Sequence, residues 1–95
     1  MRLGARAARK AREALKIRQG LPASKRYGTP AGLAQARKIA QNQPIDPVRT
    51  AGFLRRFRPI YLAAYRDGHR SPRTSKAIGA WDLWGGSPAW EKIGR

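Results

Sequence analysis

The sequence has no cysteine, a single histidine at position 69, and only five acidic residues, Glu13, Asp46, Asp67, Asp82 and Glu91. Each shortage removes a class of chemistry. Without cysteine there is neither a disulfide framework nor a thiolate metal site, and one histidine cannot complete the usual metal-ligand sets. The acids stand as isolated residues, and no Gly-rich loop followed by Lys and Ser or Thr is present to cradle a phosphate. His69 falls in the turn-forming stretch Arg66-Asp67-Gly68-His69 with no acid/base partner beside it, so it reads as a solvated loop residue. Neither catalysis, nor a metal, nor a cofactor is expected. Long hydrophobic runs are missing too: the longest, Ile60 to Tyr65, falls far short of the roughly twenty residues that span a bilayer, so no membrane span is expected. With 95 residues the chain has room for one hydrophobic core.

What is abundant is positive charge. Lys and Arg number 21, giving a net charge of +16 and an isoelectric point near 11.8. Self-repulsion of that size opposes a compact state unless counter-charge is supplied. A polyanion supplies it and releases condensed counterions on binding, which makes nucleic acid the expected partner. Ribosomal proteins, phage DNA-binding proteins and membrane-surface peptides share this composition, so charge alone names a partner class.

The charge is concentrated at the N-terminus, in Arg2, Arg6, Arg9, Lys10, Arg12, Lys16, Arg18, Lys25 and Arg26. Residues 1–27 therefore read as a basic arm, helical over 5–19 by its Ala, Leu, Arg and Lys content, attached to a small domain of residues 28–95. The arm either contacts DNA or docks on the core through Ala7, Ala11, Ala14 and Leu15. Residues 1–21 also have the acid-poor outline of an organelle transit peptide, but their alanines are too small to form the apolar face such peptides use.

From Gly28 onward a capping residue followed by proline recurs at Thr29-Pro30, Asp46-Pro47, Ser71-Pro72 and Ser87-Pro88. Such a pair starts a helix, because the side-chain oxygen takes a free N–H of the first turn and proline at the first position loses no hydrogen bond. The spacing predicts helices at about 30–42, 47–57, 60–66, 74–84 and 88–93, with Pro59 breaking or kinking the third segment. Leu33, Ala36 and Ala40 share one face of the second helix, with Gln35 and Lys38 turned away. Val48, Ala51, Phe53, Leu54 and Phe57 fill a broad arc of the next. No stretch alternates with β-branched content, so the expected fold is all-α, a single small domain of about four to five short helices with a basic N-terminal helical arm.

Two constellations bear on binding. Residues 29–57 have the proportions of a helix-turn-helix, with Arg49, Gly52 and Arg56 on one stripe opposite Leu54. A helical hairpin with solvated arginines is the alternative, and phosphate contact without base reading is favoured, since nothing specifies bidentate base geometry. Near the C-terminus, Trp81, Trp84 and Trp90 offer stacking surfaces for bases or, as favoured here, close a core with Leu33, Phe53 and Phe57. Gly85 is placed to cap the preceding helix in the left-handed conformation, and Gly86 to let the chain reverse. The residues nominated for nucleic acid are Arg6, Arg9, Lys10, Arg12, Lys16, Arg18, Lys25, Arg26, Arg37, Lys38, Arg49, Arg55, Arg56 and Arg58.

The segment Ser75 to Gly86, containing Ala80-Trp81-Asp82-Leu83-Trp84-Gly85-Gly86 and followed by Trp90 and Ile93, resembles a small module of tailed bacteriophages and prophages whose function is not established. Upstream, Gly28-Thr29-Pro30-Ala31-Gly32-Leu33-Ala34-Gln35-Ala36-Arg37 and Val48-Arg49 with Phe53 resemble its earlier helices, so residues 28–95 are covered. Ser87 stands where the module carries Asp. The resemblance implies a phage-encoded protein, located in the virion or the host bacterial cytoplasm, and carries over no catalytic residue. The expected function is a non-enzymatic, largely sequence-independent association with DNA, favoured over RNA. The alternatives are a virion head or neck component next to packaged DNA, touching other capsid proteins through the tryptophan core or the Tyr61 and Tyr65 surface, and an inhibitor of an acidic host nucleic-acid enzyme.

Overall fold

The computed structural model describes all 95 residues and contains helices and turns only. Helix α1 spans Ala5–Gln19, α2 Pro30–Ala40, α3 Pro47–Arg66, α4 Lys76–Leu83 and α5 Gly86–Ala89. A 3-10 turn, Ala23–Lys25, joins α1 to α2, and a π-helical turn, Trp90–Gly94, continues α5.

Helix α4 is the centre. It buries Ile78, Gly79, Trp81, Asp82 and Leu83, which is nearly its whole circumference, and α1, α2, α3 and α5 all pack on it. A helix buried on all sides has no need of an amphipathic stripe. Trp81 is 1% exposed and lies flat on Tyr61 of α3, ring centroids 4.5 Å apart, while the Trp90 ring is tilted against it at 6.2 Å. Trp84 stacks instead on Phe53 at 4.4 Å, and Phe53 on Phe57 at 5.1 Å. Leu33, Phe53, Phe57 and Trp90 are half-buried at the margin of the core.

Of the two readings of residues 1–27, the structure has the docked one. Leu3, Ala7, Ala11 and Ala14 belong to the core, and α1 runs antiparallel to α2. The polar ties fix that orientation: the Gly4 N–H donates to Asn42 Oδ1, Arg12 Nη1 to the Ala40 carbonyl, Arg18 Nε to the Tyr27 carbonyl and the Tyr27 hydroxyl to the Ala14 carbonyl. Met1 and Ile45 exchange backbone hydrogen bonds, at 2.7 Å and 3.3 Å. The small alanine side chains let α1 approach its neighbours closely, and close packing makes up in contact what each methyl lacks in area.

Two of the four capping pairs start helices. Thr29 Oγ1 accepts from the Gly32 N–H at 3.0 Å, and Asp46 Oδ1 accepts from Val48 and Arg49 at 2.9 Å and 3.3 Å. Ser71-Pro72 forms a turn, closed by Thr74 N–H to the Ser71 carbonyl at 3.1 Å, and Ser75 caps α4. Ser87-Pro88 lies inside α5, whose entry is set by Gly85 and Gly86 at φ 97° and 62°. Pro59 does not divide α3. It is exposed, as is Arg55 one turn earlier, so the hydrogen bond that proline removes lies on the solvent side of the helix, where its loss costs least. Helix α2 ends at Ala40, short of the expected 42, because Asn42 turns left-handed at φ 53°.

Three further expectations are corrected. Gln35 is buried, 9% exposed, on the face of α2 that meets α1 and α4. Val48 is 80% exposed because nothing packs over the first turn of α3 on its side. The helix-turn-helix reading of 29–57 fails, since α2 and α3 scarcely meet: α4 lies between them, and the connection buries Ile45 against the N-terminal segment. The helical hairpin of this fold is α1–α2. No helix is long and apolar enough to cross a membrane.

Candidate polyanion-binding surface

Five acids are too few to neutralise 21 cations, and those present are spread over the fold. Asp46 caps α3, Asp67 ends it, and Asp82 is buried. The one ion pair joins Arg6 to Glu91 at 3.5 Å with both side chains exposed, a geometry that contributes little.

The nominated cations fall into two groups. Arg12, Arg18, Arg26 and Arg55 donate to the carbonyls of Ala40, Tyr27, Leu21 and Gly94 at 2.9, 2.6, 2.9 and 2.9 Å, and Arg58 lies 4.5 Å from the Trp90 ring centroid. Ala40 and Gly94 end their helical segments, where carbonyls lack intrahelical partners and cations are favoured. Each guanidinium has five N–H donors, so these arginines keep some free for a second partner. By contrast, Arg9, Lys10, Lys16, Lys25, Arg37, Lys38, Arg49 and Arg56 make no side-chain hydrogen bond or ion pair within the fold, and all but half-buried Lys10 are exposed. Arg49, Gly52 and Arg56 do lie at the surface, although not on a buttressed reading helix.

Packing of α1 on α5 gathers some of these cations. Arg6, Arg9 and Lys10 face Ser87 and Pro88 across an open groove of about 350 Å³ that also includes Glu13. At Lys10 and Ser87 this groove adjoins a smaller cavity of about 120 Å³, lined by Tyr61, Tyr65, Arg70, Ile78 and Asp82 as well. A third depression, about 290 Å³, brings Lys25 together with Arg73 and Lys76 around the first turn of α4. Arg70, Arg73 and Lys76 were not nominated from the sequence. The signal available was their density, with Arg66, around the turn that follows α3.

The aromatic faces are largely taken by one another. Tyr61 covers Trp81, Phe53 covers Trp84, and Arg58 covers Trp90. Tyr65 is 43% exposed and carries the Arg70 guanidinium 3.3 Å from its ring centroid. His69 Nδ1 lies 3.1 Å from Thr74 Oγ1, so its ring ties the turn after α3 to the approach to α4.

Two titrations depart from their ordinary ranges. Burial pushes the Asp82 carboxyl up to about 6, with Lys10 opposing and Glu13 adding to the rise. Burial also pushes the Tyr27 phenol up to about 12, and the nearby Asp82 charge adds to it. Comparison with known families, curated proteins and solved structures finds no match, so what this surface does is read from its own residues.

Proposed function

We propose that this chain binds nucleic acid through its phosphates, largely without regard to sequence, as a binding protein and not an enzyme. The observation that carries the reading is the unneutralised charge, +16 on a body of 32 × 25 × 20 Å with one exposed ion pair. A duplex as long as the molecule's greatest extent carries about 19 phosphate charges, comparable to the charge to be neutralised. The outer face of α1, its groove with α5, and the cations around the start of α4 supply the contacts. DNA is preferred to RNA on the resemblance of residues 28–95 to a tailed-phage module, which also suggests an infected bacterium or a virion as the setting. Mass spectrometry of purified virions would separate those two settings.

The test is duplex binding by fluorescence anisotropy over a salt series. Contact with five or more phosphates requires log K to fall with log salt at a slope of about −4.5 or steeper, with little difference between duplex sequences. A slope near −1, or no binding at low salt, overturns the reading.

A further inference from the structure

Phosphate binding makes no use of Asp82. Asp82 is 7% exposed, yet no donor in the fold hydrogen-bonds its side chain, and it lines the small cavity beside Lys10 and Ser87. A carboxylate this buried is poorly hydrated, reaching solvent only through that cavity, and a ligand that donates to it there recovers part of the cost. The surroundings restrict which ligand. Lys10 and Arg70 also line the cavity, so an ammonium or guanidinium ligand meets like charge on its way in. What suits the site is a neutral group with N–H donors inside and negative charge outside.

A nucleotide has that polarity, and the bases differ in what they offer a carboxylate. Guanine presents two adjacent donors, N1–H and N2–H, on one edge, matching the two oxygens of Asp82. Adenine and cytosine set a single amino donor beside an acceptor nitrogen, and thymine flanks its one N–H with two carbonyls, which a carboxylate repels. At the rim, the Arg70 guanidinium lies over the Tyr65 ring and turns its outer plane outward, a surface of the kind on which unpaired bases stack. The adjoining groove of Arg6, Arg9 and Lys10 is where a phosphate joined to that base would lie. At about 120 Å³ the cavity is well below the roughly 300–1,000 Å³ of most small-molecule sites, and suits the edge of one base.

We propose that this cavity takes the Watson–Crick edge of an unpaired guanine nucleotide, Asp82 accepting from N1–H and N2–H while Lys10 and Arg70 hold the attached phosphates. The inference rests on the nucleic-acid reading and narrows it, adding a base preference on single strands to indifference on duplexes.

Thymidine decamers with one central dG, deoxyinosine, dA or dC test it by anisotropy at fixed salt. The dG strand should bind about tenfold tighter than dA or dC, and deoxyinosine, which lacks the N2 donor, should fall between. In Asp82→Asn, checked by melting to be folded, the four strands should bind alike. Competition of the dG increment by guanosine monophosphate assigns the ligand to base and phosphate alone; failure to compete assigns the site to a strand. Equal binding of all four strands by the unaltered protein, deoxyinosine equal to dG, or a dG preference retained in folded Asp82→Asn overturns the guanine site and leaves phosphate binding standing. No binding of any strand at low salt overturns both.

Discussion

The hydroxyl of Tyr27 donates to the carbonyl of Ala14, inside the fold, and so joins the end of the basic N-terminal segment to the middle of α1. The same ring lies against Gly79 of α4 so closely that a Cβ there would overlap it. Through one side chain, the most charged part of the chain is tied to the most buried helix.

Removal of residues 1–27 is therefore expected to abolish cooperative unfolding, since it strips Leu3, Ala7, Ala11, Ala14 and Tyr27 from the core together. Circular dichroism with a thermal melt checks it. A truncated protein that kept its helical signal and a sharp transition would restore the separate arm.

Gly79→Ala sets two effects against each other. Alanine improves helix propensity by roughly 1 kcal/mol, whereas forcing a methyl into the space of the Tyr27 ring costs about 1–3 kcal/mol. The close packing should win, and the melting temperature should fall. A rise would mean that Tyr27 moves aside without penalty.

Asp82 makes stability depend on pH in the unusual direction. Its carboxyl lies near 3.8 when unfolded and about 6 when folded, so the folded state binds the proton more tightly. Its contribution is fully present below pH 4 and is lost as pH rises through 6, a difference of about 3 kcal/mol. Asp82→Asn should accordingly melt higher than the unaltered protein at pH 7, with the gap closing near pH 4. A gap that is absent at pH 7, or larger at pH 4, would contradict burial as the cause.

Arg9 and Arg12 are both exposed on α1 but should respond differently to replacement. Arg9→Gln removes a cation with no partner in the fold and should lower the salt slope by about 0.9 if it meets one phosphate, with the melt unchanged. Arg12→Gln also removes the donor to the Ala40 carbonyl, and should cost about 1–3 kcal/mol of stability besides. Denaturant melts and salt titrations on both variants separate the two roles, and identical behaviour would defeat the distinction.

Local chemistry was sufficient for the all-α class, for the starts of α2 and α3 at Thr29 and Asp46, and for the left-handed turn at Gly85, because caps and glycines act on neighbouring backbone atoms. It was also enough to show that the chain carries far more positive charge than its acids can neutralise. Whether Ala7, Ala11 and Ala14 face water or a partner helix depended on what lay opposite them, and only tertiary packing placed α2 and α4 there. The same holds for Pro59, harmless because its side of α3 faces solvent, and for Ser71, which caps a turn while Ser75 caps α4. Asp82 looked like one more scattered acid; it became a buried carboxylate beside Lys10 and Arg70 because α1, α3 and α4 converge on it, and convergence of distant segments leaves no trace in local sequence.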